Sequence, residues 1–194
     1  AGIDANVEIV LLDSTRDGVD QIAEALAGRS NIDAIHILSH GNSANLHLGT
    51  ADLNSATVNS HYADHLRMIG GALSADADIL IYGCNFADGA DGIELAQRLA
   101  DLTGADIAAS DDLTGHAALG GDWTLEVSSG AIETQVPVAR STQESWQYVL
   151  PTVTFQEGTS GYAGTSDTYL DSNGADTSFG ASTSIAVDDV TGAN

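Results

Sequence analysis

One apolar run constrains the fold of this chain more than any other feature. Residues Ile79–Phe86 read Ile-Leu-Ile-Tyr-Gly-Cys-Asn-Phe and carry the only cysteine among the 194 residues. A short apolar run bounded by polar residues is typical of a strand that is buried on both faces in a parallel α/β sheet. Because such sheets bind ligands at the carboxyl ends of their strands, Cys84 is predicted to lie at the rim of a cleft.

A second run of the same kind, Ala34–Ser39, ends on His40-Gly41. If the two strands are parallel neighbours, an imidazole and a thiol meet at one edge of the sheet. A cysteine nucleophile needs a histidine beside it as its base. His40 and Cys84 are therefore the candidate reactive pair, although a turn histidine and a buried, inert cysteine remain the alternative.

The remaining periodicity predicts an α/β domain over residues 1–150, with four parallel strands and helices on both faces. Val7–Leu12 and Ala34–Ser39 are expected to be paired around a right-handed crossover. The predicted strands are Val7–Leu12, Ala34–Ser39, Ile79–Tyr82 and Ile107–Ala109; the predicted helices are Val19–Leu26, Val58–Leu73 and Ile93–Leu102. An edge hairpin is expected from Trp123–Val127 and Ala131–Val136, followed by a short strand at Trp146–Leu150.

Pro151 marks a predicted domain boundary, because residues 151–194 are rich in Gly, Ser, Thr and Asp and have almost no helical periodicity. This tail resembles the opening strands of a carbohydrate-binding-type β-sandwich of secreted bacterial proteins. A complete sandwich takes roughly a hundred residues, so the tail is expected to be a short β-type extension.

The charge of the chain excludes one class of partner. It has 5 Lys+Arg against 28 Asp+Glu, which gives a formal net charge of −23. Nucleic acid binding needs clustered basic residues and is excluded on this ground. Such acidity suits a solvated extracellular protein in salt or calcium. Three further classes of feature are not expected within this sequence. No apolar run approaches membrane-spanning length, and a single cysteine forms no internal disulfide. Any secretion signal is expected to lie outside this sequence.

Three motifs carry a resemblance to a known family: His-Ile-Leu-Ser-His-Gly, Ile-Tyr-Gly-Cys, and Leu-Thr-Gly-Ala-Asp-Ile-Ala-Ala-Ser. The first two, each an apolar block that ends in His-Gly or in a small residue and Cys, resemble the caspase-like superfamily of cysteine peptidases, which includes caspases, gingipains and clostripain. The chain looks more closely like an uncharacterised domain family near the start of giant bacterial surface and adhesin-like proteins. The resemblance implies a three-layer, doubly wound, mostly parallel sheet and a secreted or cell-surface location.

The same resemblance assigns roles to four residues. Cys84 is the nucleophile and His40 the general base and acid. The backbone N–H of Gly41 holds the oxyanion together with that of Cys84, and Gly83 leaves room for the substrate backbone.

Substrate preference is expected to come from other strand ends. Asp13 follows the first strand and Asp111-Asp112 follows the fourth, and carboxylates there favour a basic substrate residue. Arg16, in the first loop, favours an acidic substrate residue instead. Each of the three aspartates is also explained by a solvent-exposed loop with no role in substrate binding.

The other histidines have weaker assignments. His36 is expected to face a helix in the core, and His47 could approach the cleft. His61 and His65 are four residues apart, which is a metal-binding spacing, but no third ligand accompanies them and no metal site is predicted.

Two functions follow from these observations. The first is a cysteine endopeptidase with no cofactor that processes a polypeptide, its own parent chain included, after a basic residue. Arg140, in a segment expected to be extended and exposed, is the predicted cleavage site within this sequence. The second is a non-catalytic extracellular adhesion module. Calcium is a possible activator of the first or a structural ion of the second.

Overall fold

The computed structural model describes residues 7–150 and the strand 184–188, and contains two β-sheets and five α-helices in these residues. The strands are β1 (Val7–Leu11), β2 (Ile32–Leu38), β3 (His40–Asn42), β4 (Asn45–Leu48), β5 (Ala51–Asn54), β6 (Leu73–Ile81), β7 (Asp106–Ala109), β8 (Val127–Ser128) and β9 (Ser184–Asp188). The helices are α1 (Gly18–Leu26), α2 (Ser55–Val58), α3 (Ala63–Gly70), α4 (Gly89–Thr103) and α5 (Arg140–Ser145).

The main sheet has the strand order β1-β9-β2-β6-β7-β8. β2, β6 and β7 are paired in parallel, and β1 points the same way. The predicted mixed α/β architecture with a mostly parallel sheet is thus confirmed. The predicted pairing of the first two strands was wrong, because β9 lies between them and is antiparallel to both. The rest of the predicted sandwich segment lies outside the described residues.

The helices of the three crossovers share one face of this sheet. The strands β1, β2, β6 and β7 follow one another across the sheet in chain order, so right-handed crossovers place every helix on the same side. α3 accordingly packs against both α1 and α4. Helices on both faces were expected; the opposite face is instead covered by residues 123–150, in which α5 is the only described helix and buries none of its residues.

Alternation along the strands separates two apolar clusters. In β6, Ile79 and Ile81 pack into the cluster that includes the helices, while Leu80 and the following Tyr82 belong to the second cluster. Asp17 caps the start of α1, since its side chain accepts hydrogen bonds from the N–H groups of Val19 and Asp20.

Three features of the chain differ from the predictions. The predicted helix Val58–Leu73 is shortened to α3, because Val58 ends a separate short helix that begins at the capping box of Asn54 and Leu73 belongs to β6. The second sheet, in the order β3-β4-β5, was not predicted, because its strands are only three or four residues long. β1 is an edge strand with Ile9 and Leu11 exposed, rather than a strand buried on both faces.

The expected edge hairpin is reduced to β8, which pairs antiparallel with β7. Residues 131–136 form no strand. Instead, the buried carboxylate of Asp78 accepts hydrogen bonds from the N–H groups of Glu133 and Thr134. A side chain from the sheet thus takes two of the backbone donors that a partner strand would use.

Candidate functional site

The chain segments that follow β2 and β6 meet at one edge of the main sheet. The two strands are adjacent and parallel, as predicted, and Tyr82 N–H donates to the carbonyl of Ile37 at 2.9 Å. Beyond this point the backbone of Gly41 lies against that of Gly83 and Cys84. A Cβ added at Gly41 would lie 3.0 Å from the Cys84 carbonyl oxygen and 3.0 Å from the Gly83 carbonyl carbon. Glycine thus lets the two main chains approach closely, and a larger residue would require one of them to shift by a few tenths of an ångström.

Gly83 is confined on its other side. A Cβ there would lie 2.7 Å from Cδ1 of Leu46, which is itself fully buried in β4. The small sheet therefore holds the Gly83-Cys84 turn in place. The glycines predicted to form the backbone of the site are brought together here.

His40 lies in β3, directly opposite His47 in β4. His47 is in turn opposite Asp52 in β5, and its Nδ1 lies 2.8 Å from Oδ1 of Asp52. Residues directly opposite each other in antiparallel strands project from the same face, so the three side chains form a row. His40 is half-buried, and sequence reasoning missed Asp52 because nothing marked β5 as a strand.

The thiol of Cys84 is buried, although the sequence placed it at a cleft rim. Its sulfur accepts a hydrogen bond from the N–H of Thr114 at 3.3 Å and lies 2.8 Å from the carbonyl oxygen of Leu150. The chain at Leu150 covers it. Burial raises the pKa of the Cys84 thiol, the Thr114 N–H opposes this rise, and the carboxylate of Asp112 adds to it. The thiol is therefore held in its protonated form.

Three carboxylates gather beyond the carboxyl end of β7. Asp111, Asp112 and Glu126 are exposed, and one oxygen of each lies within 4.8 Å of the others. Burial raises the pKa of Asp112, with Asp122 and Asp111 adding to the effect. Burial also raises the pKa of Glu126, and Asp112 and Asp111 contribute again.

Glu126 was not among the predicted site residues; it joins them because residues 126–127 turn back beside β7. The carbonyl of Asp112 accepts from the N–H of Asn85 at 2.7 Å, so this acidic loop is next to Cys84.

Asp13 does not join this group. It is exposed in the turn after β1, where its carboxylate accepts from the N–H and hydroxyl of Thr15. β1 and β7 are four positions apart in the sheet, about 19 Å at the usual strand spacing. Asp13 and Asp111 therefore cannot line one small subsite. Arg16 forms an exposed ion pair with Glu24.

The other predicted histidines lie elsewhere. His36 faces the second cluster, not the crossover helices, and its Nδ1 is 3.4 Å from the hydroxyl of Tyr82. Burial lowers the pKa of His36 to about 4, although Asp78 acts in the opposite direction. His65 pairs with Asp20 at 3.1 Å. Within the described residues the acidic cluster after β7 is the one group arranged to hold a metal ion.

The structure also bears on the predicted membrane status: within residues 7–150 and 184–188, every helix is too short or too polar to cross a bilayer.

Comparison with known proteins gives one match. No curated protein and no solved structure matches the chain. A family model described as "Domain of unknown function (DUF4347)" matches residues 1–150. The predicted uncharacterised domain family is confirmed to that extent. By this match, which includes the strands β1 to β8, the two glycine turns and the segment over Cys84, the chain belongs to the DUF4347 family.

Proposed function

We propose that this domain is a cysteine endopeptidase that uses Cys84 as its nucleophile and His40 as its general base and acid. The observation that supports it is the contact of the Gly41 backbone with that of Gly83-Cys84, beyond the carboxyl ends of two adjacent parallel strands. This is the edge at which α/β sheets bind ligands. The caspase-like relationship implied by the sequence motifs belongs to the same proposal.

The chemistry follows in two steps. His40 takes the proton of Cys84, and the thiolate attacks the carbonyl carbon of the substrate peptide. The oxygen of the tetrahedral intermediate accepts hydrogen bonds from the N–H groups of Gly41 and Cys84. His40 then passes its proton to the leaving amine, and water hydrolyses the resulting thioester with His40 again acting as the base.

His47 and Asp52 supply a third group in this scheme. Asp52 pairs with Nδ1 of His47, and His47 stands opposite His40 in the small sheet, so the proposal assigns this pair the role of orienting the side chain of His40. A base whose orientation is set by a neighbouring polar group is the usual arrangement in nucleophilic catalysis.

The substrate of the proposed enzyme is a polypeptide, its own large surface protein included, outside the cell. Asp111 and Asp112 lie beside the loop that carries Cys84 and favour a basic residue before the cleaved bond. Within this sequence Arg140 is the first residue of α5 and its side chain is exposed, so the predicted extended segment is partly helical there. Cleavage at Arg140 therefore requires α5 to unwind.

The test is hydrolysis of fluorogenic peptides with Arg, Asp or Leu before the cleaved bond. Cys84→Ala and His40→Ala should each abolish hydrolysis, while His61→Ala, an exposed histidine of the same chain, should leave it unchanged. Hydrolysis that persists in Cys84→Ala would contradict the proposal. So would the absence of hydrolysis in a folded form whose Cys84 is freely alkylated at neutral pH.

A second candidate, a non-catalytic adhesion module that binds calcium, is favoured by the carboxylates of Asp111, Asp112 and Glu126. Calcium should then raise the thermal midpoint of the protein, and Asp112→Asn should remove most of that increase. Asp76→Asn is the matched control, because Asp76 is an exposed carboxylate near the amino end of β6, at the opposite end of the sheet. An equal calcium response in both variants would point to general charge screening and would remove this candidate.

A further inference from the structure

Residues Tyr148–Leu150, here called the strap, run antiparallel to the segment Leu113–His116. The N–H of His116 donates to the carbonyl of Tyr148 at 2.9 Å, and the N–H of Leu150 donates to the carbonyl of Thr114 at 2.8 Å. Val149 stands opposite Gly115 in a β-bridge. The strap is thus bound through its main chain, in the way that an extended peptide adds to a strand edge.

The surface beneath the strap is shaped for a peptide backbone. A Cβ at Gly115 would lie 2.5 Å from the carbonyl oxygen of Tyr148, and one at Gly121 would lie 2.9 Å from Cγ1 of Val149. Gly115 also has φ of 140°, a conformation that other residues rarely adopt. Glycine at position 115 leaves room for the main chain of the strap, and glycine at position 121 leaves room for the side chain of Val149.

One buried polar group in the segment Leu113–His116 is unpaired. Thr114 is 1% exposed, and its hydroxyl oxygen has no hydrogen-bond partner among the described residues. The N–H of this residue contacts the sulfur of Cys84. Buried hydroxyl groups normally have partners, so an unpaired one on the residue whose N–H binds the thiol points to a ligand that the strap does not reproduce.

The strap is in an unproductive orientation for cleavage. It turns the carbonyl oxygen of Leu150, 2.8 Å away, towards the sulfur of Cys84. A nucleophile attacks the carbonyl carbon, with the oxygen turned away towards N–H donors. The thiol instead donates to this oxygen, which keeps it protonated.

We propose that the strap is an autoinhibitory segment seated in the groove of the enzyme's peptide substrate, and that Leu113–His116 is the strand edge to which an extended substrate peptide binds once the strap leaves. This inference rests on the proposed peptidase function. Two backbone hydrogen bonds and the hydrogen bond from the Cys84 thiol to the Leu150 carbonyl hold the strap, while Leu150 is only half-buried against the second cluster and Tyr148 is 57% exposed. It can therefore open locally while the helical core stays folded.

The first experiment uses the unmodified full chain and measures alkylation of Cys84 by iodoacetamide, followed by intact mass, as urea increases. The dependence of the alkylation rate on urea should be much shallower than that of global unfolding, because local opening exposes little surface. Equal urea dependence would mean that the thiol is uncovered only by unfolding, and would overturn the proposal.

The second experiment compares two proline variants of the full chain. Leu150→Pro removes the N–H that binds Thr114 and should speed alkylation about tenfold, the effect of losing one backbone hydrogen bond. Gln147→Pro is the control, because the N–H of Gln147 makes no hydrogen bond among the described residues and Trp146 before it is already extended. It should alkylate at the rate of the unmodified chain.

The third experiment tests whether a peptide with the sequence of the strap binds in the groove that the strap fills. The peptide acetyl-Trp-Gln-Tyr-Val-Leu-amide should slow alkylation of Leu150→Pro, whereas the same peptide with Pro as its last residue should not. Protection by neither peptide, or by both equally, would contradict a main-chain groove.

The outcomes separate this inference from the proposed function. Fast alkylation of Leu150→Pro without peptide hydrolysis would show that the strap covers the thiol, but it would contradict the peptidase and with it the autoinhibitory role. Unchanged alkylation in a folded Leu150→Pro would overturn the strap, while hydrolysis by the unmodified chain would still support the peptidase. If Leu150→Pro does not fold, the urea experiment decides.

Discussion

The two faces of the main sheet are built in different ways. On the helical face, α1, α3 and α4 close a largely aliphatic cluster in which most members are less than 5% exposed. On the other face, residues 123–150 cover a smaller cluster that contains two tryptophans and is bordered by polar groups. His36 and Asp78 are buried there, and Nε1 of Trp123 and of Trp146 has no partner among the described residues.

The difference indicates how stability and function are divided. The helical face has the apolar burial that stabilises a domain. The opposite face has less apolar area and unpaired polar atoms, each of which weakens it. The strap that covers Cys84 continues from this weaker layer, so the candidate site can open without loss of the core.

The largest expected effect comes from comparing the same substitution on the two faces. Leu99→Ala, 3% exposed on α4, should lower the free energy of unfolding by about 2–5 kcal/mol. Leu125→Ala, half-buried in the second cluster, should cost about 1 kcal/mol because solvent already reaches the side chain. Urea denaturation measures both. Equal losses would show that the two faces are packed alike.

The pH dependence of stability should come largely from the face of the main sheet opposite the helices, where His36 is buried. The pKa of His36 is about 4 in the folded chain and near 6.5 when unfolded, so the unfolded state binds a proton first as the pH falls. Stability is then fully present above about pH 6.5 and is lost between there and pH 4, by on the order of 3 kcal/mol.

His36→Leu should flatten this dependence in urea titrations between pH 4 and pH 7. His61→Gln, which changes an exposed histidine, serves as the control and should keep the slope of the unmodified chain. A slope that persists in His36→Leu would assign the effect to other groups.

An intermediate effect is expected at Asp78, whose carboxylate binds residues 133 and 134 of the layer that covers the sheet opposite the helices. Asp78→Ala leaves the N–H groups of Glu133 and Thr134 without their acceptor and should cost about 1–3 kcal/mol. Asp78→Asn retains one acceptor oxygen and should cost less. If thermal or urea unfolding shows the two variants to be equally destabilised, the charge of Asp78 and not its acceptor role is what matters.

The smallest effect is expected at the solvent-exposed surfaces of both faces. Glu144→Gln breaks the pair with Arg140 on α5, and Asp64→Asn breaks the pair with Arg67 on α3. Exposed ion pairs between residues three or four apart on a helix contribute roughly 0.5 kcal/mol or less to the free energy of unfolding, so both substitutions should have small and similar effects. If Glu144→Gln lowered the free energy of unfolding several times more than Asp64→Asn, this would show that α5 stabilises the layer formed by residues 123–150.

Sequence patterns predicted the helical half of the fold well. The runs at Ala34–Ser39 and Ile79–Tyr82 are long and apolar, and they form adjacent strands. The patterns did less well where structure depends on distant contacts. β3, β4 and β5 are too short to show a period, and residues 131–136 bind to Asp78, more than fifty residues away in the chain.

The candidate site was predictable in part for the same reason. His40, Gly41, Gly83 and Cys84 follow two strong strand signals, so their common edge could be inferred. Glu126 had no local signal. Leu150 had none either, because its contact with the thiol spans 66 residues of chain.

The sequence alone therefore determined the acidic charge, the mostly parallel sheet and the meeting of the His40-Gly41 and Gly83-Cys84 turns, since charge is a count and buried strands have a local apolar signal. Only the tertiary structure decided that the first two strands are separated, that the crossover helices share one face, and that Cys84 is covered. Those features depend on β9 entering between β1 and β2, on the direction in which the strands advance across the sheet, and on Leu150 reaching the thiol. Such long-range pairings leave no periodic trace in the residues that make them.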